Sequence, residues 1–381
     1  TFPKPLPIQG DPVLMEVLPL SEESGPGLLY ISRSTGGSDF TAYLLKPVKT
    51  DDGEINWVPV PMGSKPDFKL PSSKEPERLL VHQQGKQRFL MVFSGGSKPP
   101  SIFRINPDFE LVELKETGPG GGGVLTSKSV QSAFLGEPVV MVAQGNVARS
   151  VTYKEQTGFE ILDQYNASET GVNIVSATAL DFDGEPGEEV ALIDQGTRKI
   201  RLLRKEEGTY RPWKEVELGP FACNGSQTTD VNGDSRADLI LIGKGRFGVL
   251  YAGGTEYQLK ELAVFETELD DVHFQDVTVG DLNHDGNPDL ALIDTKSHRV
   301  EIVTYFPGVG LRSGLSFKLF DSKTLTREKT DDLEPRESAI ADVTGDGLED
   351  LLLLTHDRLL LYPQDAGTEE EKKENQTTAT Q

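Results

Sequence analysis

The sequence contains a single cysteine, Cys223, among 381 residues. One thiol can form neither an intrachain disulfide nor a zinc cluster built on several cysteines. We therefore expect Cys223 to be a small buried or half-buried residue. The sequence also lacks any apolar run of the length, about 18 residues or more, that a membrane-spanning helix needs. It thus predicts no membrane span.

Positive charge is scarce as well: the sequence has 38 Lys and Arg against 61 Asp and Glu, which gives a net charge of −23. Nucleic acids and anionic lipid surfaces are bound by basic patches, so this balance argues against both as partners. The five histidines are scattered, and no His-Glu-x-x-His, Gly-x-Ser-x-Gly or helix-opening Gly-x-Gly-x-x-Gly motif is present. We therefore predict no catalytic residues and no site for an organic cofactor.

Helical periodicity is almost absent, whereas 39 glycines and 24 prolines suit a chain with many turns. The most informative stretch is Asp281-Leu-Asn-His-Asp-Gly-Asn-Pro-Asp289, which places oxygen-bearing side chains at its positions 1, 3, 5 and 9. Hard cations such as Ca²⁺ take six to eight oxygen ligands, partly from alternating residues of one loop. Gly286 follows position 5, where a tight loop favours a residue without a Cβ. The apolar run Leu290–Ile293 comes next and reads as a strand.

The same pattern recurs three times, starting at Asp181, Asp230 and Asp342, and each copy is followed by a short apolar run. We predict a metal site in every copy, with side chains at positions 1, 3, 5 and 9 and a backbone carbonyl at position 7. Oxygen ligands of this kind suit calcium rather than zinc. The predicted ligands are Asp181, Asp183, Glu185, Gly187, Glu189; Asp230, Asn232, Asp234, Arg236, Asp238; Asp281, Asn283, Asp285, Asn287, Asp289; and Asp342, Thr344, Asp346, Leu348, Asp350. The cofactor prediction is therefore about four Ca²⁺ ions.

The copies begin 49, 51 and 61 residues apart, and a period of about 50 with one strand-like run per unit suggests a propeller or solenoid. Stepping back from Asp181 leads to three worn copies without the ligand set, Ser132–Pro138, His82–Gln87 and Ser21–Gly27. The total is seven units, of which the last four carry the metal pattern. Four-stranded sheets arranged radially make a β-propeller.

The fold prediction is an all-β, seven-bladed β-propeller of four-stranded blades, forming one domain over residues 1–364. In the sixth unit the strands are predicted at His273–Asp281, Asp289–Ile293, Val300–Phe306 and Ser316–Phe320. The last unit supplies only three strands, so the segment Phe2–Ile8 is predicted to close it as an outer strand, where its prolines are tolerated. The acidic, polar tail 365–381 has no apolar anchor and is expected to be disordered.

The D-x-[DN]-x-D-G-x-x-D loops resemble the FG-GAP/VCBS-type repeats that build seven-bladed propellers, including the integrin alpha-subunit head. The resemblance extends to about residue 364. In integrin heads the loops of the last four blades hold calcium between the first two strands, which is where the loops at Asp181, Asp230, Asp281 and Asp342 fall. The Phe-Gly and Gly-Ala-Pro signatures are missing from their expected places, and Phe247-Gly248 falls in a third strand. A bacterial exported repeat protein is the simpler match.

Three functions are compatible with these features. The first is a non-catalytic, calcium-stabilised module for protein interaction or self-assembly. The second is a glycan-binding propeller, against which the 7% aromatic content counts. The third is a polysaccharide lyase or hydrolase on a propeller scaffold. Weak extracellular calcium loops would stay empty in cytosol, and the chain starts at Thr1 rather than Met, so we expect an exported protein (extracellular, cell-surface or periplasmic).

Overall fold

The computed structural model describes residues 3–21, 25–35, 37–51, 54–94, 99–114, 129–185, 188–219, 221–243, 245–253, 263–269, 272–319 and 334–364. All regular secondary structure in these ranges is β-strand. Accordingly, no helix able to cross a membrane is found in them. The strands form seven antiparallel sheets, one per predicted unit. Six sheets have four strands, the first sheet has a fifth, short strand, and the last sheet takes its outer strand from the N-terminal segment. The seven-bladed propeller is confirmed.

The strands are numbered in chain order. The first is β1 (Lys4–Pro5). Blade one has β2 (Asp11–Ser21), β3 (Gly25–Arg33), β4 (Phe40–Lys49) and β5 (Ile55–Val60), with β6 (Phe68–Lys69) paired to β4; blade two has β7 (Pro76–Gln84), β8 (Gln87–Ser94), β9 (Ser101–Ile105) and β10 (Leu111–Glu113); blade three has β11 (Val130–Phe134), β12 (Pro138–Gln144), β13 (Val147–Lys154) and β14 (Gly158–Asn166).

The last four blades repeat the arrangement. Blade four has β15 (Ile174–Leu180), β16 (Glu189–Asp194), β17 (Lys199–Glu206) and β18 (Thr209–Glu217); blade five has β19 (Cys223–Thr229), β20 (Asp238–Gly243), β21 (Arg246–Leu250) and β22 (Ala263–Glu266); blade six has β23 (Phe274–Gly280), β24 (Asp289–Asp294), β25 (Arg299–Phe306) and β26 (Gly310–Lys318); blade seven has β27 (Glu337–Ala341), β28 (Asp350–Leu354), β29 (Leu359–Tyr362) and β1.

Burial follows strand position within a blade. The second strands β16, β20, β24 and β28 are buried along their whole length. Their unbroken apolar runs are expected of strands covered on both faces. The fourth strands are much more exposed, as β26 shows, since none of its residues is buried. Apolar side chains of neighbouring blades meet between the sheets, for example Ile240 and Val249 of blade five with Leu290 of blade six. The hydrophobic core is thus a ring of inter-blade layers.

The ends of the chain meet in blade seven, as predicted. Strand β1 pairs with β29 through the register Lys4↔Leu361 and Pro5↔Leu360. Pro5 has no N–H to donate, which an outer strand tolerates. The observed strand is shorter than the predicted segment, and Phe2 lies outside the described residues.

Two details of the predicted strands need correction. In blade six the fourth strand starts at Gly310 rather than Ser316, because Phe306 pairs with Gly310 across a tight turn. In blades two and three, the sequence pattern predicts that the worn loops begin at His82 and Ser132, but both residues lie within the first strands β7 and β11. Without metal ligands to accommodate, the loop between the first two strands shrinks to a short turn, and the first strand runs on. His82 Nδ1 and Ser132 Oγ lie 2.8 Å apart and link the two blades.

Candidate metal-binding loops and the axial channel

The four nine-residue loops all connect the first and second strands of their blades, 181–189 in blade four, 230–238 in blade five, 281–289 in blade six and 342–350 in blade seven. Neighbouring loops touch. A Cβ added to Gly184 would lie 2.9 Å from Nη1 of Arg236, and one added to Gly233 would lie 3.4 Å from the Pro288 ring. The Glu349 carboxylate accepts a hydrogen bond from the Asp281 backbone N–H. The loops therefore form one continuous rim on one face of the ring.

The carboxylate at position 1 organises each loop. Asp230 accepts hydrogen bonds from the backbone N–H groups of Gly233 and Ser235, both at 2.7 Å. Asp342 does the same with Gly345 at 2.7 Å and Gly347 at 2.9 Å. These donors occupy loop positions 4 and 6, so the backbone must curl tightly around the first carboxylate.

That curl uses left-handed backbone at positions 4 and 6. Position 4 has φ of 78° at Gly184, 74° at Gly233, 57° at His284 and 71° at Gly345. Position 6 has φ of 67° at Ser235, 83° at Gly286 and 86° at Gly347. Glycine reaches this region without the cost that a Cβ imposes. The expectation that Gly286 serves a tight turn is met. Position 4 has the same backbone requirement, and glycine occupies it in three of the four loops.

The carboxylates at positions 5 and 9 have different surroundings. The position-5 side chains Asp234, Asp285 and Asp346 are exposed, and each accepts a hydrogen bond from the backbone N–H at position 7, at 2.8 to 2.9 Å. Position 9 is buried: Glu189, Asp238, Asp289 and Asp350 are at most 3% exposed. Of the predicted carbonyl ligands at position 7, Gly187 lies outside the described residues, and the Leu348 side chain is buried.

The buried carboxylates tie the loop to the blade. Asp238 accepts hydrogen bonds from the N–H of Val231 at 2.9 Å and of Ala252, beyond the third strand, at 2.8 Å. In blade seven, Asp350 binds Val343 and Gln364 in the same way. Burial raises the pKa of Asp238 to about 7, and the nearby Asp234 and Asp230 add to that rise. A cation placed between these carboxylates would favour their charged forms.

One group of ligand atoms is already gathered closely enough for a metal ion. Asp181, Asp183 and Glu189 of blade four each offer a carboxylate oxygen, and these oxygens lie within 4.8 Å of one another. In the other three loops position 3 is Asn232, Asn283 or Thr344, so among the predicted ligand positions only 1, 5 and 9 are acidic. Among the described residues, those three carboxylates are not gathered within that distance. The donor set is hard oxygen throughout, which fits a cation such as Ca²⁺ or Mg²⁺.

The axial channel holds a second set of charged groups, which the spacing of residues in the sequence did not predict. Glu16, Arg78, Asp276 and Glu337 come from the first strands of blades one, two, six and seven and line a cavity of about 460 Å³. Glu337 accepts a hydrogen bond from the Met15 N–H at 2.7 Å, and thus links blades seven and one. Arg336 also lines this cavity, but no described histidine or tyrosine does.

Burial controls the ionisation of these channel groups. It raises the pKa of Glu16 to about 7, an effect that Arg78 opposes and Asp276 increases. Burial also raises the pKa of Asp276 and of Glu337, and it lowers the pKa of Arg78. The Arg78 guanidinium lowers the pKa of all three carboxyl groups, but burial outweighs it, so full ionisation of all three is unfavourable.

A pH-dependent stability follows for Glu16. Its folded pKa of about 7 exceeds the ordinary value of 4.5, so the folded chain binds more protons than the unfolded chain between these two pH values. The contribution of Glu16 to stability is therefore complete below about pH 4.5 and is lost as the pH rises to about 7. We expect Glu16→Gln to be more stable than the wild type at pH 8, with the difference shrinking by pH 5. Thermal unfolding at both pH values checks this, and a difference that grows toward pH 5 would contradict it.

Comparison with known proteins agrees with this architecture. Residues 230–292 match the family model described as FG-GAP-like repeat. Together with the seven blades, this match supports an FG-GAP-type repeat propeller, and it covers the stretch from the loop of blade five to the second strand of blade six. Comparison with curated proteins finds no relative by sequence.

Two solved structures are similar over almost their entire length. A catalytically inactive variant of virginiamycin B lyase from Staphylococcus aureus, crystallised with quinupristin, is 12% identical with a TM-score of 0.52, covering 95% of this chain and 98% of that one. BBS1N, in a complex with ARL6DN, is 10% identical with a TM-score of 0.53, covering 97% and 98% of the two chains. At these identities the likeness concerns the fold alone.

Proposed function

We propose that the chain is a non-catalytic, calcium-stabilised propeller that is exported and presents a protein-interaction surface. The observation that carries this proposal is the rim of four like-built loops in adjacent blades, each with carboxylates at positions 1, 5 and 9 around a tightly curled backbone. Four calcium ions would neutralise part of a chain whose net charge is −23. Exported proteins meet the calcium concentrations at which weak loops of this kind fill.

The partner surface is the face opposite the loop rim. The rim has short, similar turns, whereas the connections that differ most among blades in the sequence are 94–101, 118–123, 166–171, 219–226 and 322–337. Residues 118–123 and 322–333 lie outside the described residues. The described parts of these segments lie before a first strand or after a second or fourth strand of a blade. In an antiparallel blade these positions are at the end opposite the loop between the first two strands. Binding residues concentrate in variable loops held by a rigid scaffold. BBS1N, whose solved structure is similar in fold, was crystallised in a complex with ARL6DN, which is compatible with a partner-binding role.

The similarity to a lyase gives the enzyme alternative no specific support, since the likeness concerns the fold alone. The described lining of the axial channel has arginines and carboxylates but no histidine or tyrosine. A glycan-binding role likewise finds no row of exposed aromatic side chains among the described residues, where Phe134 and Phe306 are the exposed phenylalanines in different blades.

Two charge-reversal variants test the assignment of faces. Arg336→Glu alters the residue before β27, at the end opposite the loops, and His284→Glu alters position 4 of the blade-six loop. Each purified variant is added to the native extract, cross-linked chemically and analysed by mass spectrometry. We expect Arg336→Glu to lose the cross-link to a partner or to a second copy, and His284→Glu to keep it. Equal melting temperatures establish that both variants fold. Loss with His284→Glu alone would show that the faces are wrongly assigned.

A further inference from the structure

The blade-four loop differs from the other three at one ligand position. Position 3 is Asp183 in blade four, but it is the neutral Asn232, Asn283 or Thr344 in the others. Positions 1, 5 and 9 are acidic in all four loops. At its ligand positions blade four therefore has one carboxylate more than its neighbours, and among the described residues its loop is the one in which three carboxylate oxygens already lie within 4.8 Å of one another.

The same blade differs at a second position, on the strand opposite. The strand registers define which residue of the third strand is equivalent in each blade. The residue that follows loop position 9 pairs with a third-strand residue, namely Val190 with Leu203, Leu239 with Leu250, Leu290 with Val303 and Leu351 with Tyr362. The equivalent position is the next residue along the chain after each of these third-strand partners. The equivalent residues are Arg204, Tyr251, Thr304 and Pro363. The only cation among them thus stands in the blade that has the additional carboxylate.

The two exceptional residues are in contact. The Arg204 guanidinium forms an ion pair with Oδ2 of Asp183, and its Nε lies 3.8 Å from Oε1 of Glu189. The guanidinium also stacks on the Trp213 ring, with its carbon 4.2 Å from the ring centroid. Arg204 is thereby held against two of the three carboxylates that could bind a metal ion. In blade six the equivalent Thr304 instead donates a neutral hydrogen bond to Asp289.

We infer that Arg204 is a tethered cation that neutralises the blade-four loop when calcium is absent and competes with calcium for Asp183. This inference rests on the proposed calcium function and adds a difference among its sites. A guanidinium on the same blade keeps the loop folded without metal, because like-charged carboxylates would otherwise repel one another. The blade-four site therefore binds calcium more weakly than the other three and fills last as calcium rises.

The test compares calcium titration by calorimetry and thermal unfolding in chelator for the wild type and three variants. Arg204→Thr installs the blade-six residue and removes the tethered cation. Asp183→Asn with Arg204→Thr installs both blade-six residues, which correspond to Asn283 and Thr304. Arg211→Gln removes an equal charge from the exposed β18 position opposite Arg204, and serves as the control.

The wild type is expected to show three tighter sites and one weaker site. Arg204→Thr should tighten the weaker site roughly fivefold, the scale of a partly exposed ion pair, and should lower the melting temperature in chelator more than Arg211→Gln does. The double variant should restore that melting temperature, because it removes the additional carboxylate as well.

Two failures are distinguishable. Calcium binding at four sites, with Arg204→Thr behaving like Arg211→Gln in both measurements, would overturn the role of Arg204 and leave the proposed function intact. Absence of calcium binding in the wild type and every variant would overturn the proposed function and the competition together.

Discussion

Removing calcium with a chelator is expected to produce a large loss of stability without any change to the sequence. Each ion that binds only the folded chain stabilises it by RT ln(1 + [L]/Kd), roughly 2.7 kcal/mol at 100-fold saturation. Without metal, three carboxylate oxygens of the blade-four loop lie within 4.8 Å of one another, and burial raises the pKa of Asp289 and Asp350 in the loops of blades six and seven. Thermal unfolding in calcium and in chelator measures the difference.

A single-loop variant shows whether the loss comes from the loops. Asp285→Ala removes the position-5 carboxylate of blade six, which is exposed and accepts the Asn287 N–H. We expect this variant to bind one ion fewer and to lose less stability on chelation than the wild type does. Restoring excess calcium to the wild type should recover its melting temperature. A melting temperature that chelator does not change would show that the loops do not stabilise the fold through metal.

The second large effect is expected for Asp238→Ala, and it should persist in chelator. Asp238 is 0% exposed, and its two oxygens accept the backbone N–H groups of Val231 and Ala252. Truncation leaves both buried donors without these acceptors, and each unsatisfied group costs about 1–3 kcal/mol. We therefore expect a loss of roughly 2–5 kcal/mol from the free energy of unfolding.

The matched control is Asp234→Ala in the same loop. Asp234 is exposed, and its Oδ1 accepts the Arg236 N–H at the surface. Both substitutions remove one carboxylate that would hold the metal, so they should resemble each other in how much calcium binding is lost. In chelator, denaturant unfolding should find Asp238→Ala far less stable than Asp234→Ala. Equal stabilities in chelator would mean that the buried hydrogen bonds of Asp238 contribute little.

Much of the fold could be predicted from the sequence because each blade carries a local sequence pattern. The second strands are unbroken apolar runs such as Leu290–Ile293, and the loops before them carry fixed oxygen spacings. The last unit supplies only three strands, so the N-terminal segment was the remaining candidate for the outer strand of blade seven. Strand ends were harder to predict: β26 starts at Gly310, because a tight turn follows Phe306.

The contacts between strands were not accessible from spacing alone. Arg204 lies 15 residues after Glu189 in sequence, and only the antiparallel register of β16 and β17 brings it to the loop. The channel groups Glu16 and Glu337 belong to opposite ends of the chain, and they meet because the ring closes between blades seven and one. A long-range cluster of this kind leaves no periodic signal in the sequence.

The most direct test of the central claim is a crystal structure of the chain grown with calcium, with anomalous diffraction recorded to locate the ions. The account predicts four peaks, one in each loop of blades four to seven, beside Asp181, Asp230, Asp281 and Asp342, and none between the first two strands of blades one to three. Loops without anomalous peaks at saturating calcium, or peaks only elsewhere on the ring, would contradict it.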